Sequence, residues 1–559
     1  MKKWIAALVG GLTLLGLILV NYGPQIVLRY PELIGTFSRL LDPIGPTVPV
    51  AWQPGPTRAE KPASERPPNV VVILVDDLGW NDLSWRGGGV AGGAVPTPNI
   101  DSLARDGVEF TMGYAGNATC APSRAAIMTG RYPPRFGFES TPAPAAMGKT
   151  ISGMQAVQLA QDQPSSLFFE ELMPEVPSME QQGVPPSEIT LAELLGEGGY
   201  RSLMLGKWHL GDAQGKRPND QGFHEFLGFE SGASLYGSDD DPMIVSAKQA
   251  FDPIDVFLWK LLSFAIRKDD GPRFTPPQYM TDYLSAQAVR AIEANRNRPF
   301  FLYLAYNAPH TPLQATQADY DALSAIDHHP TRVYGAMIRA LDRGVGEVLE
   351  ALKENGLEQN TLVVFSSDNG GAHYVGIPGL NAPYRGWKMT FFEGGLHSPF
   401  FMKWPAQFPA GTQVDTPVAH IDLFATAAAA AGIPIPEDRV IDGVDLIPFA
   451  RGEGVGEAHD ALFWRSGGLQ LVLADGWKYQ TDLRQDKRWL FDLTRDPTER
   501  NNRADEEPER VQALQARLDA FNADVGPRHF PALIEAPIPI DRTLADPYVP
   551  GEEWAYWPN

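Results

Sequence analysis

The apolar positions of this chain fall into short continuous runs separated by longer amphipathic segments. Four runs rich in Val, Leu, Ile and Phe are predicted to be strands covered on both faces, as in parallel sheets. They span residues 69–77, 201–205, 300–305 and 361–365. Segments with helical periodicity lie between them, the longest at about 332–354. This alternation predicts an α/β fold with a large central, mostly parallel mixed sheet sandwiched by helices.

The pattern changes near residue 460. Four short strand-like runs alternate there with turn residues, and a helix is predicted at about 508–522. This order predicts a smaller C-terminal antiparallel sheet with one helix. We therefore divide the chain into a main domain at 68–455, a C-terminal subdomain at 456–525, and a tail at 526–559 that wraps on the surface.

Residues 1–42 are predicted to be a membrane anchor or a signal segment. Lys2 and Lys3 precede an uncharged run, 4–20, that would be about 25 Å long as a helix. An uncleaved anchor is favoured, because no clear small-x-small cleavage pattern follows that run. The protein is therefore expected to be exported, either anchored in an inner membrane and facing the periplasm, or periplasmic after cleavage. A Pro-rich linker, 43–67, leads to the main domain.

The composition of the 559 residues is that of a globular protein, with 43% hydrophobic and 20% charged residues. A formal net charge of −22 argues against nucleic acid as a partner, because no basic stripe offsets it. An anionic small substrate is compatible with this charge if positive groups are concentrated in one pocket. The chain has a single cysteine, so it cannot form an internal disulfide.

That cysteine begins the segment 120–132, which reads Cys-Ala-Pro-Ser-Arg-Ala-Ala-Ile-Met-Thr-Gly-Arg-Tyr. Pro122 suits the first turn of a helix and Gly130 can end it, so the segment predicts a helix with Cys120 at its N-terminus. Unsatisfied N–H groups and the helix dipole favour an anion at that end, and Arg124 adds a fixed positive charge.

Two familiar nucleophile schemes do not fit this segment. Ser123 is a hydroxyl that could attack in principle, but no nucleophile elbow surrounds it. The tyrosine-phosphatase spacing of Cys, five residues and Arg also fails, because Ala126 is the sixth residue after Cys120.

Polar side chains follow three of the predicted strands and should meet at one edge of the sheet, where ligands bind in open α/β folds. They are Asp76 and Asp77, then His310, then Asp368 and Asn369. Oxygen ligands without a cysteine cluster suit a hard divalent cation, Ca²⁺ or Mg²⁺, better than zinc. Such a cation would neutralise an anionic substrate and help ionise a nucleophile.

Three positive side chains and two histidines complete the predicted site. Arg124, Lys207 and Lys388 supply the charge that a tetrahedral oxyanion requires. His209 and His310 are candidates for proton transfer to the nucleophile and the leaving group.

At these residues the chain resembles a type I sulfatase of the alkaline phosphatase superfamily. Cys120-Ala-Pro-Ser-Arg124 matches the Cys-x-Pro-Ser-Arg signature of that family. The resemblance spans roughly residues 68–500 in unbroken order and implies an alkaline phosphatase-like fold. Its other motifs are Asp76-Asp77, Pro96-Thr-Pro-Asn-Ile-Asp101, Gly206-Lys-Trp-His-Leu-Gly211, Ala308-Pro-His310, Ser367-Asp-Asn-Gly370, Gly386-Trp-Lys388 and Glu393-Gly-Gly395.

The resemblance implies a modified catalytic residue and its maturase. A formylglycine-generating enzyme or its equivalent would oxidise Cys120 to formylglycine (3-oxoalanine), whose hydrate carries two hydroxyls. One hydroxyl would attack the sulfur of a sulfate ester, and the other would help to expel sulfate afterwards.

The family pattern also implies a role for each remaining residue. Arg124 and Lys207 would hold the modified residue, and His209 would hydrogen-bond it. Lys388 would bind the sulfate, and His310 would meet the leaving oxygen, which makes Lys207, His310 and Lys388 the substrate-binding set. Ca²⁺, with Mg²⁺ as the alternative, would be bound by Asp76, Asp77, the modified Cys120, Asp368 and Asn369.

Two positions depart from the family pattern. His397 stands where relatives often carry Arg after the Glu-Gly-Gly motif. A polar sulfate ligand that some relatives carry has no clear counterpart, since Ser231 and Ser234 are only near the expected place. The natural substrate therefore stays open among aryl, alkyl and carbohydrate sulfates, and the sequence does not specify an oligomeric state.

Three alternatives compete with a sulfatase. A phosphonate monoester or phosphodiester hydrolase shares the cysteine signature, but those enzymes tend to carry His where Asn369 stands. A non-catalytic sulfate-binding protein should have lost a charged member of the site, and none is lost here. A phosphoethanolamine transferase normally needs several spanning helices and a threonine nucleophile. Hydrolysis of a sulfate monoester is therefore the function predicted from the sequence.

Overall fold

The computed structural model describes residues 42–144, 148–149, 152, 163–252, 255–256 and 259–559. The predicted anchor or signal segment, apart from its last residue, lies outside the described residues. Within the described ranges we find no helix with the length and apolar character needed to cross a bilayer.

A nine-stranded mixed sheet forms the centre of the fold. In chain order its strands are β1 Asn69–Asp76, β2 Val108–Phe110, β3 Arg201–Lys207, β4 Glu225–Phe229, β5 Arg267–Lys268, β6 Phe300–Pro309, β7 Thr361–Ser367, β8 Phe400–Lys403 and β9 Thr412–Val414. Their order across the sheet is β9-β2-β8-β7-β1-β6-β3-β4-β5. The five central strands β7, β1, β6, β3 and β4 are parallel, and β8 and β5 flank them antiparallel. The predicted sheet is confirmed.

Helices cover both faces of this sheet. They are α1 Pro98–Arg105, α2 Cys120–Thr129, α3 Leu191–Glu197, α4 Met280–Asn295, α5 His329–Glu354 and α6 Asp422–Ala431, while a further helix, α7 Pro508–Val525, lies in the C-terminal region. Short helical turns lie at Val90–Gly93, Gln317–Asp321, Glu393–Leu396 and Ile447–Ala450.

The interior of β1, residues 70–75, is apolar because both of its faces are covered. Val71, Ile73 and Val75 belong to the core that includes α4 and α5. The alternate residues Val70, Val72 and Leu74 belong to the core on the other face, which includes α2, α3 and α6. A strand buried on both faces has no position for a polar side chain until it ends, at Asp76.

The region after residue 460 forms the predicted antiparallel sheet with one helix. Its strands are β10 Leu462–Ser466, β11 Leu469–Ala474, β12 Trp477–Asp482 and β13 Lys487–Asp492, paired in sequence order. The helix α7 packs against this sheet through Leu514, Leu518 and Phe521.

Short strands outside these two sheets differ from the sequence-based expectation. After β2 the chain leaves the main sheet, and Gly113–Tyr114 pairs with Val418–Ala419. The tail was expected only to wrap on the surface, yet Ile534–Pro539 forms a three-stranded sheet with Trp554–Pro558 and Leu167–Phe168. A two-stranded pair, Ile244–Ala247 with Leu313–Thr316, completes the set. The domain boundaries stay predictions.

A buried ionic cluster joins the C-terminal sheet to the helical turn that begins at Glu393. The Nζ atom of Lys478, on β12, lies 2.7 Å from Oε1 of Glu393 and 2.9 Å from Oε1 of Glu499. Glu499 also accepts the backbone N–H of Glu393 at 2.6 Å. All three side chains are at most 3% exposed, so each charge depends on its partners for stabilisation.

We expect Lys478→Met to lower the free energy of unfolding by about 3–5 kcal/mol, because two buried carboxylates lose their cation. Urea denaturation followed by circular dichroism measures this difference. Lys353→Met is the matched control: its pair with Glu350 is largely exposed, so a change below about 1 kcal/mol is expected. Equal stability of the two variants would contradict this account of the cluster.

Candidate active site

The candidate site lies at the carboxyl ends of three adjacent parallel strands. β1 ends at Asp76, and its neighbours β7 and β6 end at Ser367 and Pro309. The register places Val75 opposite Ser367 and Asp76 opposite Pro309. The residues that follow these ends are therefore brought to one edge of the sheet: Asp77, His310, Asp368 and Asn369.

The backbone turns sharply where two of the predicted site residues stand. Asp77 has a φ of 62° and His209 also has a φ of 62°, in the left-handed region that favours glycine. Such strain persists only where surrounding contacts hold it, and it is common at functional sites. Two hydrogen bonds hold the first turn: Asp77 N–H to Oδ1 of Asp368 at 3.2 Å and Leu78 N–H to Oγ of Ser367 at 3.0 Å.

Each of the three carboxylates of the site is paired with a buried cation. Lys207 Nζ lies 2.6 Å from Oδ2 of Asp76, and Lys388 Nζ lies 2.7 Å from Oδ1 of Asp77. The guanidinium of Arg124 lies 2.7 Å from Oδ2 of Asp368. Burial opposes the charged form of Asp77, but Lys388 and His310 hold its pKa below the usual range. The structure thus brings the predicted charged residues together, and their individual roles stay predictions.

Cys120 is the first residue of α2, as predicted, and it lies inside this charge cluster. All ten residues of α2 are buried, and Gly130 ends the helix with a φ of 66°. The Sγ atom of Cys120 lies 3.3 Å from Oδ1 of Asp76 and 3.1 Å from Nζ of Lys388. The loop that carries Lys388 is fixed beside it, because Met389 N–H donates to the carbonyl of Ala118 at 2.8 Å.

The environment of Cys120 does not favour a thiolate. Burial raises the pKa of the thiol well above its usual value, and the carboxylates of Asp368 and Asp76 raise it further. The two lysines oppose this shift without reversing it. An unmodified Cys120 is therefore a neutral thiol, which is a poor nucleophile.

The two predicted proton-transfer histidines both lie near the charged side chains of the cluster. His310 Nε2 is 3.6 Å from Oδ2 of Asp77, and its Nδ1 hydrogen-bonds the carbonyl of Thr311. Burial lowers the pKa of His310 to about 3 and that of His209 well below its usual value, so both rings are neutral. Nδ1 of His209 is buried and has no hydrogen-bond partner within the described residues.

Several potential ligand atoms lie close enough together to hold a metal ion. Ligand atoms of Asp76, Asp77, Cys120 and His310 all lie within 4.8 Å of one another. Asn369 donates to Oδ1 of Asp77 at 2.7 Å, while its own Oδ1 is buried without a partner in the described part of the chain. Carboxylate and amide oxygens are the ligands that Ca²⁺ and Mg²⁺ prefer.

The predicted metal ligand Asp368 is engaged on both oxygens. Its Oδ1 accepts the N–H of Asp77, and its Oδ2 accepts from Arg124. Its role as a metal ligand, like the other individual roles, stays a prediction.

Two contacts at the site have no signal in the sequence motifs. The hydroxyl of Tyr374 donates to Oδ2 of Asp77 at 3.0 Å. His420 lies between Ser123 and Ser366, within 3.0 Å of each hydroxyl. The only hint that the sequence offers for His420 is its position, directly after a short buried strand and just before the helix that begins at Asp422.

The residues that depart from the family pattern lie in structural positions. His397 is buried, stacks on Tyr384 with ring centroids 4.4 Å apart, and hydrogen-bonds Glu393 and the carbonyl of Thr111. The hydroxyls of Ser231 and Ser234 donate to main-chain carbonyls. These contacts identify no sulfate ligand.

Fold and site together define an α/β protein with a buried cluster of paired charges at the ends of its parallel strands. The chain belongs to the sulfatase family, since the Sulfatase family model matches residues 68–433. The family resemblance seen in the sequence is confirmed.

Two curated relatives and one solved structure illustrate this similarity. N-acetylgalactosamine-6-sulfatase of Mus musculus is 35% identical over 390 residues, which cover 68% of this chain and only 66% of that relative. Steryl-sulfatase of Mus musculus is 31% identical over an alignment that covers 83% of this chain and 84% of the relative. The crystal structure of Ps i-CgsB in complex with k-i-k-neocarrahexaose has a TM-score of 0.68 and 30% identity, covering 83% of this chain and 95% of that one.

We expect the thiol of unconverted protein to be inert in the native state, because Cys120 is only 3% exposed and its pKa is raised. At pH 8, Ellman's reagent should label native protein on the order of 100-fold more slowly than urea-unfolded protein. The single cysteine makes the unfolded sample its own control. Rapid labelling of the native thiol would contradict the buried position of Cys120.

Proposed function

We propose that this protein is a sulfatase that hydrolyses sulfate monoesters through a formylglycine derived from Cys120. The observation that carries this proposal is the position of Cys120: the first residue of a buried helix, with Sγ within 3.3 Å of both Lys388 Nζ and Asp76 Oδ1. The signature residue thus lies beside a carboxylate that could bind a cation and an ammonium that could bind an anion.

The chain's own residues supply binding and orientation. Lys388 and Lys207 would bind the sulfate group, because each presents an ammonium at the edge where Cys120 lies. Arg124 holds Asp368 and the end of β3 in place, because it pairs with Asp368 and donates to the carbonyl of Lys207 at 2.9 Å. The bond from Nδ1 of His310 to Thr311 holds the ring with Nε2 toward Asp77, from where it would meet the leaving oxygen.

Two groups would complete the chemistry. Formylglycine, as its hydrate, supplies a hydroxyl nucleophile and a second hydroxyl that allows sulfate to leave. A divalent cation, which we propose to be Ca²⁺, supplies charge stabilisation and would be held by Asp76, Asp77, Asp368 and Asn369 together with the modified Cys120. The orphaned Oδ1 of Asn369 supports this assignment.

The names of the relatives favour a carbohydrate sulfate as the substrate. One relative is named for a sulfated sugar and the solved neighbour holds a neocarrahexaose, whereas another relative is named for a steryl sulfate. We therefore propose a sulfated carbohydrate, with aryl sulfates as small test substrates.

The competing functions are less well supported. Asn369 stands beside Asp368, where phosphonate monoester and phosphodiester hydrolases tend to carry His. A non-catalytic sulfate-binding protein would not need the complete set of paired charges at Cys120.

We also propose that the protein is exported and that it meets a formylglycine-generating enzyme before it folds, since Cys120 is buried afterwards. The anchor in residues 1–42 stays a prediction from the sequence.

We expect Cys120→Ala to lower kcat for 4-nitrophenyl sulfate by about 10³-fold or more, because the nucleophile is lost. Thr129→Ser, a conservative change in the same buried helix, is the control and should keep activity. Peptide mass spectrometry of active wild type should find formylglycine at Cys120. An unmodified thiol in active protein would refute this mechanism, and faster hydrolysis of a phosphonate monoester would favour the competing hydrolase.

We expect Ca²⁺ to raise the thermal midpoint of EDTA-treated protein, since a ligand at about 100 times its Kd adds about 2.7 kcal/mol of stability. For a chain of this size, that corresponds to a shift of at least about 2 °C. Asp77→Asn should abolish the shift, which differential scanning fluorimetry measures. Asp342→Asn is the control, because Asp342 is also buried but accepts from the start of α1. A shift that survives Asp77→Asn would remove the metal assignment.

A further inference from the structure

His420 connects two elements of the site, and its side chain hydrogen-bonds two serines and none of the charged residues described above. Its side chain is 0% exposed. Nδ1 lies 3.0 Å from the hydroxyl of Ser123, and Nε2 lies 2.8 Å from the hydroxyl of Ser366. Its backbone N–H donates to the carbonyl of Tyr114 at 3.0 Å.

The two serines belong to the segments that carry the site. Ser123 precedes Arg124 in α2 and accepts the backbone N–H of Gly116 at 3.0 Å. Ser366 lies in β7, two residues before Asp368. The imidazole therefore spans the gap between the helix that begins at Cys120 and the strand that leads to Asp368 and Asn369.

The chemistry of the ring suits such a bridge. Burial lowers the pKa of His420 to about 3, so the ring is neutral and has one N–H donor and one lone-pair acceptor. Both ring nitrogens are used, and each serine can take the complementary role. A buried hydrogen-bonded connection of this kind fixes a distance and an angle, which apolar packing against Phe400 alone would not.

We propose that His420 is a positioning residue that keeps the Cys120 helix in place relative to the Asp368–Asn369 strand end. This inference rests on the proposed function, because it assigns those residues to cation binding. Its consequence is that cation affinity depends on His420, although the side chain touches none of the proposed ligands.

The test measures Ca²⁺ affinity by isothermal titration calorimetry on unconverted protein, so no activity is needed. His420→Leu keeps the bulk and removes both hydrogen bonds, and we expect at least a tenfold loss of affinity. The amide of Gln reaches the position of Nε2 and keeps only the bond to Ser366, so His420→Gln breaks the bridge and should also lose affinity. The shorter Asn reaches only the Ser123 side, so His420→Asn breaks the bridge from the other end and should lose affinity likewise.

His224→Leu is the matched control. His224 hydrogen-bonds the N–H of Ser202 at the opposite end of β3, so its loss should leave Ca²⁺ affinity unchanged. Affinity of His420→Leu equal to that of wild type would overturn the positioning role and leave the proposed function intact. Wild type that binds no divalent cation would overturn both. If the Leu variant does not fold, the Gln and Asn variants still decide, because affinity of both equal to that of wild type would overturn the proposal.

Discussion

The interaction on which the rest of this structure depends is the mutual compensation of buried charges at the strand ends. Asp76, Asp77 and Asp368 are almost completely inaccessible, and so are the three cations that face them. A carboxylate in the interior is strongly destabilising unless a partner of opposite charge and good geometry lies beside it. The cations come from α2, from β3 and from the loop after β7. Burial of the three carboxylates therefore requires all of these elements to pack together.

This compensation also constrains ligand binding. Lys388 contacts both Asp77 and the Sγ atom of Cys120. A divalent cation bound by Asp77 would compete with this ammonium for the same carboxylate. Under the proposed function, the cation would release Lys388 toward an incoming sulfate, so the two binding events would be linked through one carboxylate. Burial lowers the local dielectric, which strengthens this competition for the carboxylate.

The sequence predicted the parts of the molecule that depend on local pattern. Fully apolar runs marked the buried strands, and polar residues directly after them marked the edge at which Asp77, His310 and Asp368 meet. Contacts between distant segments had no such signal. Ser123 and His420 are 297 residues apart, and Tyr374 and Asp77 also 297, with no periodicity relating either pair. The strands of the tail were missed because prolines interrupt them. Their partner Leu167–Phe168 lies in the segment between α2 and α3, which has no clear periodicity.

The C-terminal region contributes to the site through the loop that carries Lys388. That loop is held from one side by Arg385, which pairs with Asp541 and Glu553 of the tail. On the other side, the turn at Glu393 is held by Lys478 of the C-terminal sheet. Neither contact involves the main sheet, yet both fix the segment between Arg385 and Glu393. Residues 456–559 therefore help to set the position of Lys388, as the main domain does. The C-terminal sheet is in this sense part of the support of the site.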